Sequence, residues 1–323
     1  MKSMGSPNPA RVQHYFTPEV CVGAECNNAC LFCSVGSPTA FKRKTLAEIK
    51  EEMNVLRQVA SSIKFTGGEV TIRKDLVDMV SFAKSLGFQR IIIETNGRMF
   101  YYEDFARKIF EAGANDFLIS IHGHTPEVHD ALTRIPGSFE QTVKGLKNLA
   151  KYYPGGVGVN VVITRPNYKY LPEMVSFLEA IPVKHITLSF ITVCGAAARN
   201  KNIVPKKTEV IPYVKRAVDI SKTNMIGLNH FPVCLLGGYE KYARFMKVPI
   251  KTQITNPNYI ITLESQLAKV MTKGEKCGLC KYDNLCEGIW KEYANLYGYD
   301  EFVPVPGKKL QTIDEFETSL KGV

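Results

Sequence analysis

The stretch Glu19-Val-Cys-Val-Gly-Ala-Glu-Cys-Asn-Asn-Ala-Cys-Leu-Phe-Cys33 joins a short β-rich run to three closely spaced cysteines. Gaps of three and two residues separate Cys26, Cys30 and Cys33. Three thiolates this close can converge on one metal centre only if the backbone wraps around it, and the small or turn-forming residues 27–29 allow such a loop. A 4Fe–4S cluster held by three thiolates leaves one iron open to bind another molecule. The stretch therefore predicts a strand followed by a metal-binding loop.

A zinc site is the alternative for this loop. Structural zinc takes four ligands, and Cys21 is the only nearby candidate for the fourth. Cys21 lies inside the β-rich run, where a small buried side chain is the favoured interpretation. The chain has nine cysteines, an odd number, and its first residues contain no secretory signal. Metal or cluster ligation is therefore favoured over disulfides.

Short β-rich runs alternate with amphipathic stretches from residue 18 to residue 192. Thr45 and Glu48 form a capping box before the first amphipathic stretch, which predicts a helix there. Six strands that each precede a helix or crossover predict a parallel sheet, most economically curled into a partial (β/α)6 TIM-like barrel of the α/β class. In such folds the chemistry lies at the carboxyl ends of the strands. The predicted strands are 19–23, 62–66, 90–94, 117–122, 158–164 and 185–192.

The alternating pattern ends near residue 201, which defines the predicted domain organisation. We expect an N-terminal extension over residues 1–17, a barrel over 18–201 and a small, irregular α+β cluster-binding domain over 202–323. The regular features expected in the last part are a helix whose face contains Ile289, Tyr293 and Leu296 and which ends at Gly298, and a capping box at Thr312. The roughly 17 residues before the barrel are too few for an independent peptide-binding domain.

The cysteine loop, with an aromatic residue directly before its last cysteine, resembles the cluster loop of the radical S-adenosylmethionine (radical SAM) superfamily. After the second predicted strand, Gly67 and Gly68 would let the backbone come close to a ligand and Glu69 would supply a carboxylate for a cation, although a plain strand-to-helix turn is the alternative. Taken with the cysteine loop, Gly67-Gly68-Glu69 is similar to the GGE motif with which that family holds the amino group of the cofactor's methionine part. Val70 stands where the family often has proline. The resemblance implies a 4Fe–4S cluster on Cys26, Cys30 and Cys33 whose open iron chelates S-adenosylmethionine. It also implies reductive cleavage of that cofactor to a 5′-deoxyadenosyl radical, which takes a hydrogen atom from the substrate.

The resemblance extends to residues at the ends of later strands. Ser120 and His122 fall where the family contacts the ribose and the substrate, although a buried polar pair is the competing interpretation. The segment 194–200 contains the small residues that the family places against the adenine. Two arginines at strand ends could meet carboxylates or form surface ion pairs. The implied cofactor-binding residues are Gly67, Gly68, Glu69, Ser120, His122, Arg165, Gly195, Ala196 and Arg199.

A second cysteine group resembles the SPASM and twitch auxiliary-cluster domains. Cys277, Cys280 and Cys286 are separated by gaps of two and five residues, and Trp290 stands where the full SPASM pattern has a further cysteine. The shorter twitch arrangement, with one auxiliary 4Fe–4S cluster, is therefore the better match. Cys234 is the expected fourth ligand; without it an iron would stay open. A zinc-ribbon site is the alternative.

The substrate is the least constrained part of the sequence analysis. The resemblance implies a peptide or protein side chain first and a small anionic metabolite, such as a sugar, nucleotide or cofactor precursor, second. It also implies a reductant such as flavodoxin or ferredoxin. Cys194 ends a predicted barrel strand, so its thiol is a candidate for returning a hydrogen atom to a substrate radical. A buried small residue is the alternative for that position.

The net charge of +10 and the pI of about 9.0 are compatible with an anionic partner. The lysines and arginines are scattered, however, so a solvated basic surface is favoured over a nucleic-acid-binding face. No apolar run approaches the roughly 18–20 residues that cross a bilayer, and we expect a soluble, cytoplasmic protein without a membrane partner. A non-catalytic iron–sulfur electron carrier and a zinc-ribbon nucleic-acid-binding protein are the remaining alternatives.

Overall fold

Seven parallel strands form one sheet, hydrogen-bonded in the order in which they occur along the chain. The computed structural model describes residues 17–154, 157–222, 226–244, 253–256, 259–262 and 269–320. In this part of the chain the first and last strands do not pair, so the sheet is an open, partial barrel. The strands are β1 (Glu19–Cys21), β2 (Ser62–Thr66), β3 (Arg90–Thr95), β4 (Asp116–Ser120), β5 (Val157–Ile163), β6 (Val183–Phe190) and β7 (Ile226–Asn229).

Helices follow most of the strands and cover the outer face of the sheet. Thr45 and Glu48 form the expected capping box at the first helix, where the Thr45 hydroxyl accepts from the Glu48 N–H. The helices of this part are α1 (Leu46–Arg57), α2 (Leu76–Ser85), α3 (Glu103–Ala112), α4 (Pro126–Thr133), α5 (Ser138–Tyr152), α6 (Leu171–Glu179), α7 (Gly195–Arg199) and α8 (Lys207–Ile220).

The two faces of the sheet differ because strand side chains alternate in direction. Ile63, Phe65 and Ile93 belong to the apolar core on one face and are fully buried. Their neighbours Lys64 and Glu94 point to the opposite face, stay partly exposed and form an ion pair with a 3.0 Å N–O distance. The sheet therefore presents one apolar face to the helices and one partly polar face to the barrel interior.

The C-terminal part consists of small elements around a second apolar cluster. Tyr282, Leu285 and Phe316 are buried in that cluster together with Cys280. The two antiparallel pairs agree with the expected small α+β region, whose domain boundary at residue 201 stays a prediction. The elements are β8 (Gln253–Asn256), β9 (Tyr259–Thr262), β10 (Met271–Thr272), β11 (Ile289–Trp290), α9 (Lys291–Tyr297) and α10 (Ile313–Ser319).

Several details differ from the sequence-based expectation. All six predicted strands are present, but β7 was missed because Ile226-Gly-Leu-Asn229 is too short to show a period. Helix α4 was also missed. Ile289 was expected on a helix face, whereas it pairs with Thr272 across β10 and β11 and the helix begins at Lys291. Within the described residues, no helix has both the length and the apolar composition needed to span a bilayer.

Candidate cluster and cofactor sites

The cysteine loop follows β1, and two of its own backbone N–H groups donate hydrogen bonds that stabilise its turns. The Cys33 N–H donates to the Cys30 carbonyl at 3.2 Å, and the Asn28 N–H donates to the Cys26 sulfur at 3.3 Å. All three cysteines are partly buried. An N–H group aimed at a sulfur stabilises its thiolate form, which is the form that ligates iron.

Helix α4 anchors this loop from outside. The N–H groups of Ala29 and Leu31 donate to the carbonyls of Thr133 and Leu132, each at 3.0 Å. These carbonyls lie at the end of α4, where helix carbonyls have no partner within the helix. The missed helix therefore supplies two of the hydrogen bonds that fix the predicted metal-binding loop.

The thiols of the loop interact electrostatically. Burial raises the pKa of Cys26 to about 11 and that of Cys30 to about 12, and repulsion from neighbouring thiolates adds to both shifts. Three sulfur donors that repel one another within one loop fit a cationic iron centre, which would remove that repulsion. Among the described residues, no group of three or more His, Cys, Asp or Glu side chains is arranged to hold a single metal ion.

Gly67 and Gly68 allow two chain segments to approach closely. The Gly68 N–H donates to the Gly23 carbonyl and the Glu69 N–H to the Glu25 carbonyl, both at 2.7 Å. A Cβ atom on Gly68 would lie 2.1 Å from the Glu25 oxygen, and Gly67 has a φ of +136°. The sequence was interpreted as giving a ligand room to approach, whereas the structure fills this space with the segment that leads into the cysteine loop.

Glu69 is buried and accepts hydrogen bonds from both strand ends. Its Oε1 accepts from the Thr71 N–H at 3.0 Å and from the Thr71 and Thr95 hydroxyls, each at 2.5 Å. Its Oε2 accepts from the Asn96 N–H at 2.7 Å. Burial raises the pKa of this carboxyl, although these hydrogen bonds act in the opposite direction. A carboxylate has about four acceptor sites, so Oε2 can still accept from one further donor such as an ammonium group.

Ser120 and His122 occupy different environments. Ser120 is the last residue of β4 and is partly exposed, whereas His122 lies beyond the strand and is buried. The His122 Nδ1 accepts from the Val162 N–H at 3.2 Å, and its ring packs edge-on against Phe32 of the cysteine loop at 4.6 Å between centroids. His122 therefore supports the cysteine loop by packing.

A second buried histidine, His129, lies next to His122. Its Nδ1 accepts from the His122 N–H at 3.1 Å, and only 1% of the residue is exposed. Burial lowers the pKa of His129 to about 4, and burial lowers that of His122 as well. Both imidazoles are therefore held neutral near pH 7.

The segment after β6 lies directly against the cysteine loop. The Ala196 N–H donates to the Cys33 carbonyl at 2.8 Å, and a Cβ on Gly195 would lie 2.4 Å from that same oxygen. The Arg199 guanidinium donates to the Gly36 carbonyl at 2.5 Å. Cys194 is partly exposed, with its sulfur 3.9 Å from the Ser34 carbonyl oxygen. The structure thus brings the predicted adenine segment and Cys194 to the cysteine loop.

Arg165 is used within the chain. Its guanidinium donates to the carbonyls of Asn202 and Val204, each at 3.2 Å, and lies 3.3 Å from a carboxylate oxygen of Glu209. The surface ion pair that the sequence analysis weighed against a cofactor role is therefore present at this position.

The four C-terminal cysteines line one pocket. Main-chain N–H groups point at two of the sulfurs, with Val305 donating to Cys280 and Gly288 donating to Cys286, each at 3.4 Å. Burial raises the pKa of Cys234 to about 12, and the charges of the other three thiols add to that shift. Four sulfur donors around one pocket fit an iron–sulfur cluster, whereas within the described residues they are not arranged to hold a single zinc ion. The cysteines that line the pocket are Cys234, Cys277, Cys280 and Cys286.

Asn96 and Arg98, which were not predicted as site residues, lie between Glu69 and the cysteine loop. Asn96 donates from its side-chain amide to the Asn27 side-chain oxygen at 2.7 Å, while its backbone donates to Glu69. Arg98, two residues further, also contacts the loop. Their position at the carboxyl end of the third strand was the available indication, because barrel chemistry lies at that end.

Comparison with known proteins finds similarity over the barrel. Residues 20–178 match the Radical SAM superfamily. The chain is 30% identical over 183 residues to an AdoMet-dependent heme synthase of Oleidesulfovibrio alaskensis, which covers 55% of this chain and 46% of that one. It is 29% identical over 168 residues to a probable GTP 3′,8-cyclase of Saccharolobus islandicus, covering 50% and 53%. The chain thus spans about half the length of these curated relatives.

A solved structure resembles nearly the whole chain. The structure of anSMEcpe with bound AdoMet and the Kp18Cys peptide aligns with a TM-score of 0.62 and covers 95% of this chain and 99% of that one. The sequence identity is 12%, so this likeness shows the fold, including the region after the barrel.

Gly68→Ala is expected to destabilise the apoprotein by roughly 1–3 kcal/mol, because the new methyl group would overlap a backbone carbonyl that cannot move freely. Urea unfolding followed by circular dichroism measures the change. Gly278→Ala is the matched control, because nothing lies within 4 Å of a Cβ at that position. Equal stability of the two variants would contradict the close packing of residues 23–25 against Gly68.

The buried histidines predict a pH-dependent stability. His129 has an ordinary pKa of 6.5 when unfolded and about 4 when folded, so the unfolded chain binds more protons between these values. Its contribution is present above pH 6.5 and is lost as the pH falls toward 4, with a slope of at most about 1.4 kcal/mol per pH unit. His129→Asn should show a shallower slope than the wild type in urea unfolding at pH 7, 6 and 5. Identical slopes would contradict the assigned burial.

Proposed function

We propose that this chain is a radical SAM enzyme that modifies a peptide or protein side chain, because residues 20–178 match the Radical SAM superfamily. The observation that carries the proposal is the packing of Gly67–Glu69 and of residues 194–200 against the cysteine loop. A reduced cluster held there would supply the electron for cleaving S-adenosylmethionine to methionine and a 5′-deoxyadenosyl radical, which would abstract hydrogen from the substrate.

Each side chain near the loop has a proposed role in binding the cofactor. Cys26, Cys30 and Cys33 would hold three irons of a 4Fe–4S cluster. Glu69 would accept a hydrogen bond from the cofactor's ammonium group at the open acceptor site of Oε2. The partly exposed hydroxyl of Ser120 would face the ribose. These roles agree with the exposure and the hydrogen-bonding capacity of each group.

The segment after β6 would form the wall beside the adenine. Gly195 has no side chain and Ala196 only a methyl group, the Ala196 N–H bonds to the Cys33 carbonyl, and Arg199 bonds to the Gly36 carbonyl. His122 would act from behind the loop by packing against Phe32. Arg165 would act on the cofactor only by giving up its bonds to residues 202–209. We therefore give it no direct contact in the proposal.

We assign a second 4Fe–4S cluster to the C-terminal cysteines, in a twitch-like domain over residues 202–323. Cys234 shares one pocket with Cys277, Cys280 and Cys286, which supports it as the fourth ligand. Two N–H groups aimed at sulfur support an anionic cluster, since such bonds offset thiolate charge. A redox-active group here would suit an oxidation, because a substrate radical must lose one more electron to become an oxidised product.

A peptide substrate is favoured by the architecture after the barrel. The likeness to anSMEcpe, whose structure contains a peptide, extends over 95% of this chain and thus includes the region with the second cysteine group. A flavodoxin or ferredoxin is the proposed source of electrons, since the reaction consumes one electron for each cofactor cleaved.

A small anionic metabolite is the second candidate substrate. The curated relatives of the barrel are named as a heme synthase and a probable GTP cyclase. The net charge of +10 also favours an anionic substrate. Stimulation of 5′-deoxyadenosine formation by a peptide library or by a panel of nucleotides and porphyrin precursors distinguishes the two classes.

The variant in which Cys26, Cys30 and Cys33 are all alanine tests the main proposal. After anaerobic reconstitution we expect about eight irons per wild-type chain and about four in the variant. With dithionite and S-adenosylmethionine, the wild type should release 5′-deoxyadenosine and the variant should release none. A wild type with iron but without 5′-deoxyadenosine would favour an electron carrier. A chain that binds only zinc would favour the zinc-ribbon alternative.

Cys234→Ala tests the ligand set of the second cluster. We expect the variant to retain the first cluster and its cofactor cleavage, while the iron at the second site falls or converts to a three-cysteine form. Iron, sulfide and zinc analysis together with electron paramagnetic resonance measures this. Cys21→Ala is the matched control, because Cys21 lies in β1 and is proposed to ligate nothing. Unchanged spectra in both variants would remove Cys234 from the ligand set.

As the alternative to that oxidation, Cys194 is proposed to return a hydrogen atom to the substrate radical, which would give a product that has lost no further electron. Its S–H bond would break as a C–H bond forms, and a one-electron reductant such as ferredoxin with one proton from water would restore the thiol. In D2O with a turned-over substrate, the wild type should place one deuterium in the product. Cys194→Ala should place none there while still releasing 5′-deoxyadenosine, and undiminished deuterium in the variant would contradict the role.

A further inference from the structure

The turn between the first two cluster cysteines is held by one guanidinium. The Arg98 Nη1 donates to the Asn27 carbonyl and, at 2.8 Å, to the Asn28 side-chain oxygen. Its Nε donates to the Gln141 side-chain oxygen at 2.6 Å, which fixes the guanidinium from α5. The Arg98 N–H donates to the Asn96 side chain at 3.0 Å. The guanidinium thus contacts the loop both at its backbone and at a side chain.

The hydrogen bond from Arg98 is made to the residue that contacts a proposed ligating sulfur. Asn28, whose side chain accepts from Arg98, is also the residue whose N–H points at the Cys26 sulfur at 3.3 Å. If the guanidinium is removed, both the turn conformation and the direction of this N–H group lose support. Groups that orient metal ligands in this way commonly change metal affinity by about 10- to 100-fold when mutated.

The positive charge of Arg98 is not neutralised by the groups it contacts. The three oxygens that accept from its guanidinium belong to a backbone carbonyl and two side-chain amides, all of which are neutral. Arg107, on the exposed side of α3, differs because its guanidinium lies 3.3 Å from Asp104 and 3.2 Å from Glu111. Arg98 therefore adds a positive charge beside the cluster loop, where Glu69 also acts on Cys26 with the opposite sign, while the charge of Arg107 is offset by its own ion pairs.

A cation near an iron–sulfur cluster stabilises the reduced, more negative state and so raises the reduction potential. Salt screens this effect only weakly for partly buried charges. The electron for cofactor cleavage has to enter this cluster from an external reductant, so its potential decides whether a given carrier can reduce it.

We propose that Arg98 is a positioning residue that fixes the 26–30 turn for cluster binding, and that its positive charge raises the reduction potential of the cluster. The proposal rests on the proposed cluster at Cys26, Cys30 and Cys33. Arg98 lies outside the GGE segment, the cysteine loop and the adenine segment. An arginine with only a structural role would not change the reduction potential of the cluster.

The test compares reconstituted full-length Arg98→Gln, Arg98→Lys and Arg107→Gln proteins with the wild type. Iron per chain and the midpoint potential from redox titration followed by electron paramagnetic resonance are measured. The signal that changes when S-adenosylmethionine is added identifies the three-cysteine cluster. Circular dichroism establishes that each variant is folded.

We expect a more negative midpoint in R98Q, a smaller shift in R98K, which keeps the charge, and none in R107Q. Loss of iron from folded R98Q also supports the hold on the turn. Wild-type iron content and midpoint in R98Q would overturn the proposal, and equal shifts in R98Q and R98K would overturn the role of charge. A wild type without a cluster at the three cysteines would instead refute the proposed function, which is a separate result.

Discussion

The buried carboxylate of Glu69 accepts hydrogen bonds from the ends of two neighbouring strands. Its donors are Thr71, Thr95 and Asn96, so the end of β2 and the end of β3 are fixed to a single group. Leaving a buried donor without its acceptor costs about 1–3 kcal/mol, and several donors would be affected at once. The site geometry depends on this one group.

The constraint extends from Glu69 to the cysteine loop in two directions. The backbone of Gly68–Glu69 bonds to Gly23 and Glu25, which precede Cys26. Asn96, which donates to Glu69, also donates to Asn27 inside the loop. The backbone of Gly68–Glu69 therefore positions the chain before the first cysteine, and the Glu69 carboxylate positions the chain after it through Asn96. Hydrogen bonds thus connect three chain segments at the site, which are residues 23–27, residues 68–69 and Asn96.

The sequence predicted those features that repeat or have a fixed spacing. The six strands, the Thr45 capping box and the cysteine loop follow from alternation, from local capping chemistry and from ligand gaps. β7 could not be predicted, because a four-residue strand shows no period and depends on pairing with β6. Helix α4 was also missed. It has only eight residues, although the proline at its start, after Thr125, is a typical signal for the beginning of a helix.

The long-range contacts were beyond the reach of sequence patterns. Arg98 lies 70 residues from Asn28 in sequence, and only the fold brings them together. Arg165 was open to two interpretations until its contacts with residues 202–209 could be seen. The glycines were correctly identified as allowing close approach, but the approaching group is the chain itself. Residue types thus indicated the chemistry, and only the fold determined the partners.

The most direct test of the account is electron–nuclear double resonance on the reduced protein with S-adenosylmethionine labelled with 15N at its amino group. If the open iron of the three-cysteine cluster binds the amino group of the cofactor, the cluster signal will show a coupling to 15N. A reduced cluster whose signal neither shifts with the cofactor nor shows a 15N coupling would contradict it.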